Sequence, residues 1–246
     1  MITVDEAPLA LSAAVTDESS GEFDVYADAY EEALQQGLKV SGENPEYFAR
    51  RRIEWTRSLL DSHGMAINKV LDFGCGVGIA IPLIEEILQP SCIWGFNPSN
   101  EAIERAKKGS RNRFVANVEE LPAAEFDLVY TNGVFHHIPP VLRRAAFSTI
   151  WRTLRAGGWF AFWENNPWNL GTRLVMSRIP FDRDAVTISP VEANRLLRSA
   201  GFNTVRTDAW FLFPHMLRSL RPLEWLVHRI PLGAQYLVLA QKPTDG

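Results

Sequence analysis

Cysteine is nearly absent: the 246-residue chain has two, Cys75 and Cys92, in no Cys-x-x-Cys pair. That excludes a disulfide-stapled secreted scaffold and a cysteine-built zinc site, and fits a reducing, cytoplasmic setting. Long apolar runs are missing too. No stretch of about 18 apolar residues occurs and the N-terminus lacks the basic start of a signal peptide, so no transmembrane segment and no secretory leader is expected. Lys and Arg are missing from the first 38 positions, which hold nine acidic residues, whereas the remainder carries 25 basic against 20 acidic. A net charge of −4 argues against a nucleic-acid partner, although the basic surplus of the later part suits an anionic small molecule.

What is present is an ordinary globular balance, 46% hydrophobic and 22% charged. A chain of this length buries roughly 70–75% of its unfolded surface, enough for a core without a structural metal. Residues 1–20 are small, polar and acidic without periodicity and read as a disordered tail. Residues 21–64 read as an N-terminal helical lid. In it, 23–38 form a helix with an aromatic face that includes Tyr26 and Tyr30, and a second helix starts at Asn44-Pro45, with Ala49, Ile53, Thr56 and Leu60 on one face. From 65 to 246 strand-like and helical runs alternate: KVLDF, IAIPLIEEIL, CIWGF, NEAIERAKK, RFVA, FDLVYT, PVLRRAAFSTIWRTL, GWFAFWE. That alternation predicts an α/β fold, a parallel sheet with helices on both faces. Ser189-Pro190-Val191-Glu192 is a capping box, and QYLVLAQ a last strand. The segment 214–231 is read as a helical insertion whose apolar stripe, Leu223, Leu226, Val227 and Ile230, packs on the sheet, caps an acceptor pocket or touches lipid.

Val70-Leu71-Asp72-Phe73-Gly74-Cys75-Gly76-Val77-Gly78 ends a predicted strand and opens a predicted helix. Glycines there permit a tight turn and close approach of a ligand to backbone N–H groups. The spacing is GxGxG, not the GxGxxG of dinucleotide binders, and the Gly-Lys-Ser/Thr of a phosphate-binding loop is missing. A nicotinamide-dependent oxidoreductase is therefore disfavoured.

This nonapeptide resembles the first motif of the class I S-adenosylmethionine-dependent methyltransferases, and the resemblance extends over about residues 47–200. Trp94–Ser99, Phe114–Pro122, Phe126–Ile138 and Leu154–Gly158 resemble, in order, the family's later motifs. It implies a Rossmann-like fold with a seven-stranded mixed sheet, S-adenosyl-L-methionine as cofactor and no metal. Cofactor contacts are implied at Asp72, Gly74, Gly76, Gly78, Asn97, Pro98, Asn117, Val118 and Asn132. Asn97 and Asn117 stand where the family has acidic residues, which weakens but does not remove hydrogen bonding to ribose and adenine, an effect of order 1 kcal/mol. Asn97 also suits a helix cap.

A sulfonium methyl is already electrophilic, so the protein must mainly align a nucleophile, exclude water and remove a proton. His137, Glu164 and His136 are the candidate catalytic residues beyond strands four and five, with His137 first. Tyr26, Tyr30 and Trp168 are the candidate acceptor contacts. Each has a structural alternative: capping or packing for the histidines, an Asn-stabilised turn around Glu164 and Trp168. The expected activity is methyl transfer to a small-molecule acceptor, most simply at oxygen; the alternative is a non-catalytic cofactor-binding or scaffold protein on the same fold. The acceptor and oligomeric state are not legible in the sequence.

Overall fold

The computed structural model describes residues 42–179, 182 and 185–244. The tail 1–20 and the helix expected at 23–38, with Tyr26 and Tyr30, lie outside the described residues.

Helix α1 (Pro45–Ser62) starts as the sequence requires: the Asn44 side chain accepts the Tyr47 N–H at 2.8 Å, and Ala49, Ile53, Thr56 and Leu60 are buried. Four parallel strands follow, β1 (Lys69–Phe73), β2 (Cys92–Phe96), β3 (Arg113–Val115) and β4 (Phe126–Asn132). They are linked through α2 (Ile81–Leu88), α3 (Asn100–Lys107) and a 3₁₀ turn at Val118–Glu120. Then come α4 (Arg143–Thr153), β5 (Leu154–Asn165), α5 (Leu170–Met176), α6 (Pro190–Ser199) and β6 (Asn203–Trp210). A 3₁₀ segment His215–Leu223 and a short α7 (Glu224–Val227) lead to β7 (Gln235–Gln241).

The seven strands form one sheet in the order β3-β2-β1-β4-β5-β7-β6, with β7 antiparallel to β5 and β6. The expected mixed sheet is thus observed. Strand β7 is apolar throughout its buried stretch, Tyr236 to Ala240, because both faces of the sheet are covered, by one core around Phe73, Phe126, Phe147 and Phe162 and another around Ile53, Tyr130, Trp163 and Trp210. Helix α1 belongs to the second core, so the described part of the expected lid is packed structure. Strand order reverses between β1 and β4, and the carboxyl ends of these strands open the crevice in which α/β proteins bind ligands.

Three local expectations change. The strand expected at GWFAFWE already begins at Leu154, with Gly157 at φ +73° where the β4–β5 register slips between Phe126 and Leu128. The capping box at α6 is half made: Ser189 Oγ accepts the Glu192 N–H at 3.2 Å, while the Glu192 carboxylate faces Arg143 at 3.5 Å. The insertion does not bury its stripe in the sheet. No residue from His215 to Val227 is buried, and Met216 and Leu226 are 91% and 79% exposed.

Candidate active site

At the end of β1, Asp72 is buried, its Oδ2 has no partner, and burial pushes its carboxyl up to about 7. The turn after it hangs on β2: the Gly74 and Cys75 N–H groups both donate to the Phe96 carbonyl, at 2.7 and 2.9 Å. The glycines have different reasons. Gly74 has φ +87°, and a Cβ there would stand 2.3 Å from the Val134 side chain, so the chain itself forbids a larger residue. At Gly76, φ +53°, nothing lies within 4 Å of a Cβ, which leaves the backbone open to a ligand. Gly78, φ +86°, closes the turn against Ala106, 3.3 Å from its would-be Cβ.

Asn97 does not cap α3. Ser99 does, its Oγ accepting the Ala102 N–H at 3.1 Å, so the helix starts after Pro98 and the half-buried Asn97 side chain makes no hydrogen bond among the described residues. Asn117 is committed: its Oδ1 accepts the Glu119 N–H at 2.9 Å and caps the 3₁₀ turn, beside the buried Val118. Asn132 ends β4 with its Oδ1 enclosed and unpartnered.

Past β4, the two histidines meet β5 and a residue from a distant loop. Glu164 Oε2 lies 2.8 Å from His136 Nδ1, and Asp182 Oδ1 lies 3.3 Å from both His136 Nε2 and His137 Nε2. Glu164 also accepts the Phe135 N–H at 2.7 Å and the Asn165 N–H at 3.0 Å. Burial opposes a charge on His136, but Glu164 and Asp182 overcome it and raise the imidazole to about 10. Burial opposes the carboxylates likewise; His136 holds Glu164 low, and hydrogen bonds from both histidines bring Asp182 to about 2. His137 moves down, through burial first and the neighbouring His136 charge second, so it is the neutral imidazole of the pair.

A cavity of about 330 Å³ lies between α1, α5 and residues 211–214, with His136, His137, Asp182 and Asn132 in its wall. Tyr47, Phe48, Phe211, Phe213, Val175 and Met176 make the rest largely apolar. Phe211 and Phe48 meet edge to face with centroids 5.0 Å apart, and Phe211 holds φ +63°, a strained value for an aromatic residue at a site wall. Two expectations are corrected. Trp168 is 50% exposed and does not line this cavity; its N–H closes a turn on Asn166 Oδ1 at 3.1 Å, while Asn169 caps α5. Glu164 is enclosed behind His136, and all its bonds go to the protein. The sequence reading missed Tyr47, Phe48, Arg52, Asp182 and Phe211. The Asn44-Pro45 cap placed the first three on a helix, but nothing local marked the other two.

His136 Nε2, His137 Nε2 and Asp182 Oδ1 lie within 4.8 Å of one another, close enough to share a small cation. A proton competes with a metal here: the His136 imidazole, raised to about 10 between two carboxylates, has no lone pair to offer an ion while it is protonated. S-Adenosylmethionine fits the other side of the crevice, where Gly76 leaves an open cradle and the enclosed oxygens of Asp72 and Asn132 await donors.

A family model described as a methyltransferase domain matches residues 71–162. An uncharacterized methyltransferase of Synechocystis sp. is 31% identical over 147 residues, covering 56% of this chain and 68% of that protein. Among solved structures, a SAM-dependent methyltransferase from Archaeoglobus fulgidus aligns with a TM-score of 0.58 at 17% identity, covering 77% of this chain and 94% of its own. Another from Mesorhizobium loti aligns at 0.55 and 19%, covering 77% and 98%. These likenesses concern the fold.

Proposed function

The chain belongs to the class I S-adenosylmethionine-dependent methyltransferases, and from that premise we propose that it methylates a hydroxyl oxygen of a small molecule held in the apolar cavity. S-Adenosylmethionine, when bound, supplies a methyl carbon on a positively charged sulfur. Asp72, the turn from Gly74 to Gly78, Asn97, Pro98, Asn117, Val118 and Asn132 would hold it. Asn97 is suited to the ribose because Ser99 has taken over the helix cap, and Val118 follows β3 where the adenine ring would lie.

The aromatic walls, Tyr47, Phe48 and Phe211, exclude water and accept a ring-shaped or apolar body. The observation that carries the reading is the neutral His137 in that wall, fixed by Asp182 at 3.3 Å. As oxygen attacks the methyl carbon, the carbon–sulfur bond breaks and the hydroxyl proton passes to His137. Asp182 faces Nε2 at 3.3 Å and so orients the imidazole that takes the proton. Glu164 and His136 are positioning residues: they keep a fixed charge behind Asp182. Tyr26 and Tyr30 remain proposed acceptor contacts.

The test is release of S-adenosylhomocysteine with a panel of aromatic alcohols, against matched amines and thiols. Turnover confined to amines would overturn O-methylation and leave the family intact.

A further inference from the structure

Two neighbouring segments turn apolar side chains to solvent. Met216, Leu220, Leu226 and Ile230 come from the insertion, Leu170 and Leu174 from α5, and all six are exposed. The segments lie side by side: Asn169 Nδ2 donates to the Leu232 carbonyl at 2.7 Å, and Asn166 Nδ2 to the Pro231 carbonyl at 3.0 Å. The insertion is pinned in this attitude. Trp225 packs edge to face on Trp55 with centroids 4.2 Å apart, and the Ala209 N–H donates to the His228 carbonyl at 2.7 Å. A contiguous apolar surface of this kind is costly in water and marks a contact site.

Charge identifies what that surface meets. Residues 166–179 and 214–232 hold five arginines, at 173, 178, 218, 221 and 229, against one acidic residue, Glu224. Glu224 is spent within the segment, where its Oε1 accepts the Phe213 N–H at 2.9 Å. Arg221 pairs with Glu43 at 2.8 Å and Arg229 faces Asp208 at 3.4 Å, whereas Arg173, Arg178 and Arg218 form no ion pair among the described residues. A second copy seated here about a two-fold axis would bring arginines against arginines. Anionic lipid headgroups offer the guanidiniums phosphate oxygens, while the leucines enter the boundary between headgroups and acyl chains. No helix among the described residues is long and apolar enough to cross a membrane, so this face would lie on a bilayer rather than span it.

We propose that α5 and the insertion 214–231 dock this protein on an anionic membrane surface. The inner sides of the same two segments, with Val175, Met176 and Phe213, line the cavity, so docking holds the cavity beside the lipid. The docking is independent of which acceptor is methylated.

The test is co-flotation of the full chain with vesicles of phosphatidylcholine, with and without about one-third phosphatidylglycerol. Binding is expected on the anionic vesicles, much weaker on phosphatidylcholine alone and falling as salt rises. Leu226→Glu should weaken it by at least about 10-fold, and Arg218→Gln by about 5-fold with a shallower salt dependence. Both side chains are exposed, so unchanged S-adenosylhomocysteine affinity certifies the fold of each variant. Absence of flotation overturns the proposal, whether the occupant is then the chain's own acidic first 38 residues or a partner protein. Binding that Leu226→Glu leaves intact is charge adsorption alone and overturns it too. So does a dimer, seen by sedimentation velocity, that Leu226→Glu dissolves, because the face then belongs to a second copy.

Discussion

Glu164 and His136 join two strand ends that are far apart in sequence. The carboxylate reaches the imidazole at 2.8 Å with one oxygen and the Phe135 N–H at 2.7 Å with the other, so β5 fixes the loop that follows β4. Removing the charge should leave His136 short of one partner in a dry site. Glu164→Gln is expected to cost about 3–5 kcal/mol, read as a lower urea midpoint at unchanged slope. A loss below about 1 kcal/mol would mean that His136 is not held as a cation. The sign with pH follows: His136 is raised to about 10, so its contribution is complete below about 6.5 and fades as pH climbs through 10.

His137→Ala should lower single-turnover methyl transfer by roughly 10²–10⁴-fold while S-adenosylhomocysteine binds as before. Because the His137 imidazole is shifted down, the wild-type rate should fall only on the acid side, with its midpoint below pH 6.5. An acid limb centred above 6.5, or a variant with wild-type rates, would remove His137 as the base.

Asp72 trades stability for binding. Its carboxyl is raised from 3.8 to about 7, so the folded state binds more protons than the unfolded one between those values, and stability falls as pH rises through them. Asp72→Asn should therefore stabilise the ligand-free protein at pH 8 by at most about 4 kcal/mol, read as a raised melting temperature, and flatten that pH dependence. It should also weaken S-adenosylhomocysteine. Unchanged affinity would place the ammonium elsewhere.

Asn97 and Ser99 divide two jobs that one residue was expected to share. Ser99→Ala should cost about 1 kcal/mol of stability with little effect on cofactor affinity. Asn97→Leu should do the reverse, and Asn97→Asp should hold or tighten binding. If all three proteins bound the cofactor equally, Asn97 would have no ribose contact.

A protonated His136, with no lone pair to give a metal, predicts that prolonged dialysis against EDTA leaves turnover unchanged. A loss restored by one divalent ion would show that a metal, not a proton, completes the cluster.

The sequence by itself determined the strands and the order of the motifs. KVLDF, CIWGF and QYLVLAQ coincide with β1, β2 and β7, because strands buried on both faces must be written as short apolar runs between turn residues. Asn44-Pro45 and Ser189-Pro190 announced their helices because a cap is a contact over three residues. The tertiary structure decided what those local signals do not encode. Asp182 reaches His136 across 46 positions, Gln235 reaches Arg52 across 183, and Trp168 turns outward although it stands in an aromatic cluster. The reason is one of range: helix, strand and cap are settled by neighbours along the chain, whereas the partner of a buried charge is whatever the sheet order brings beside it.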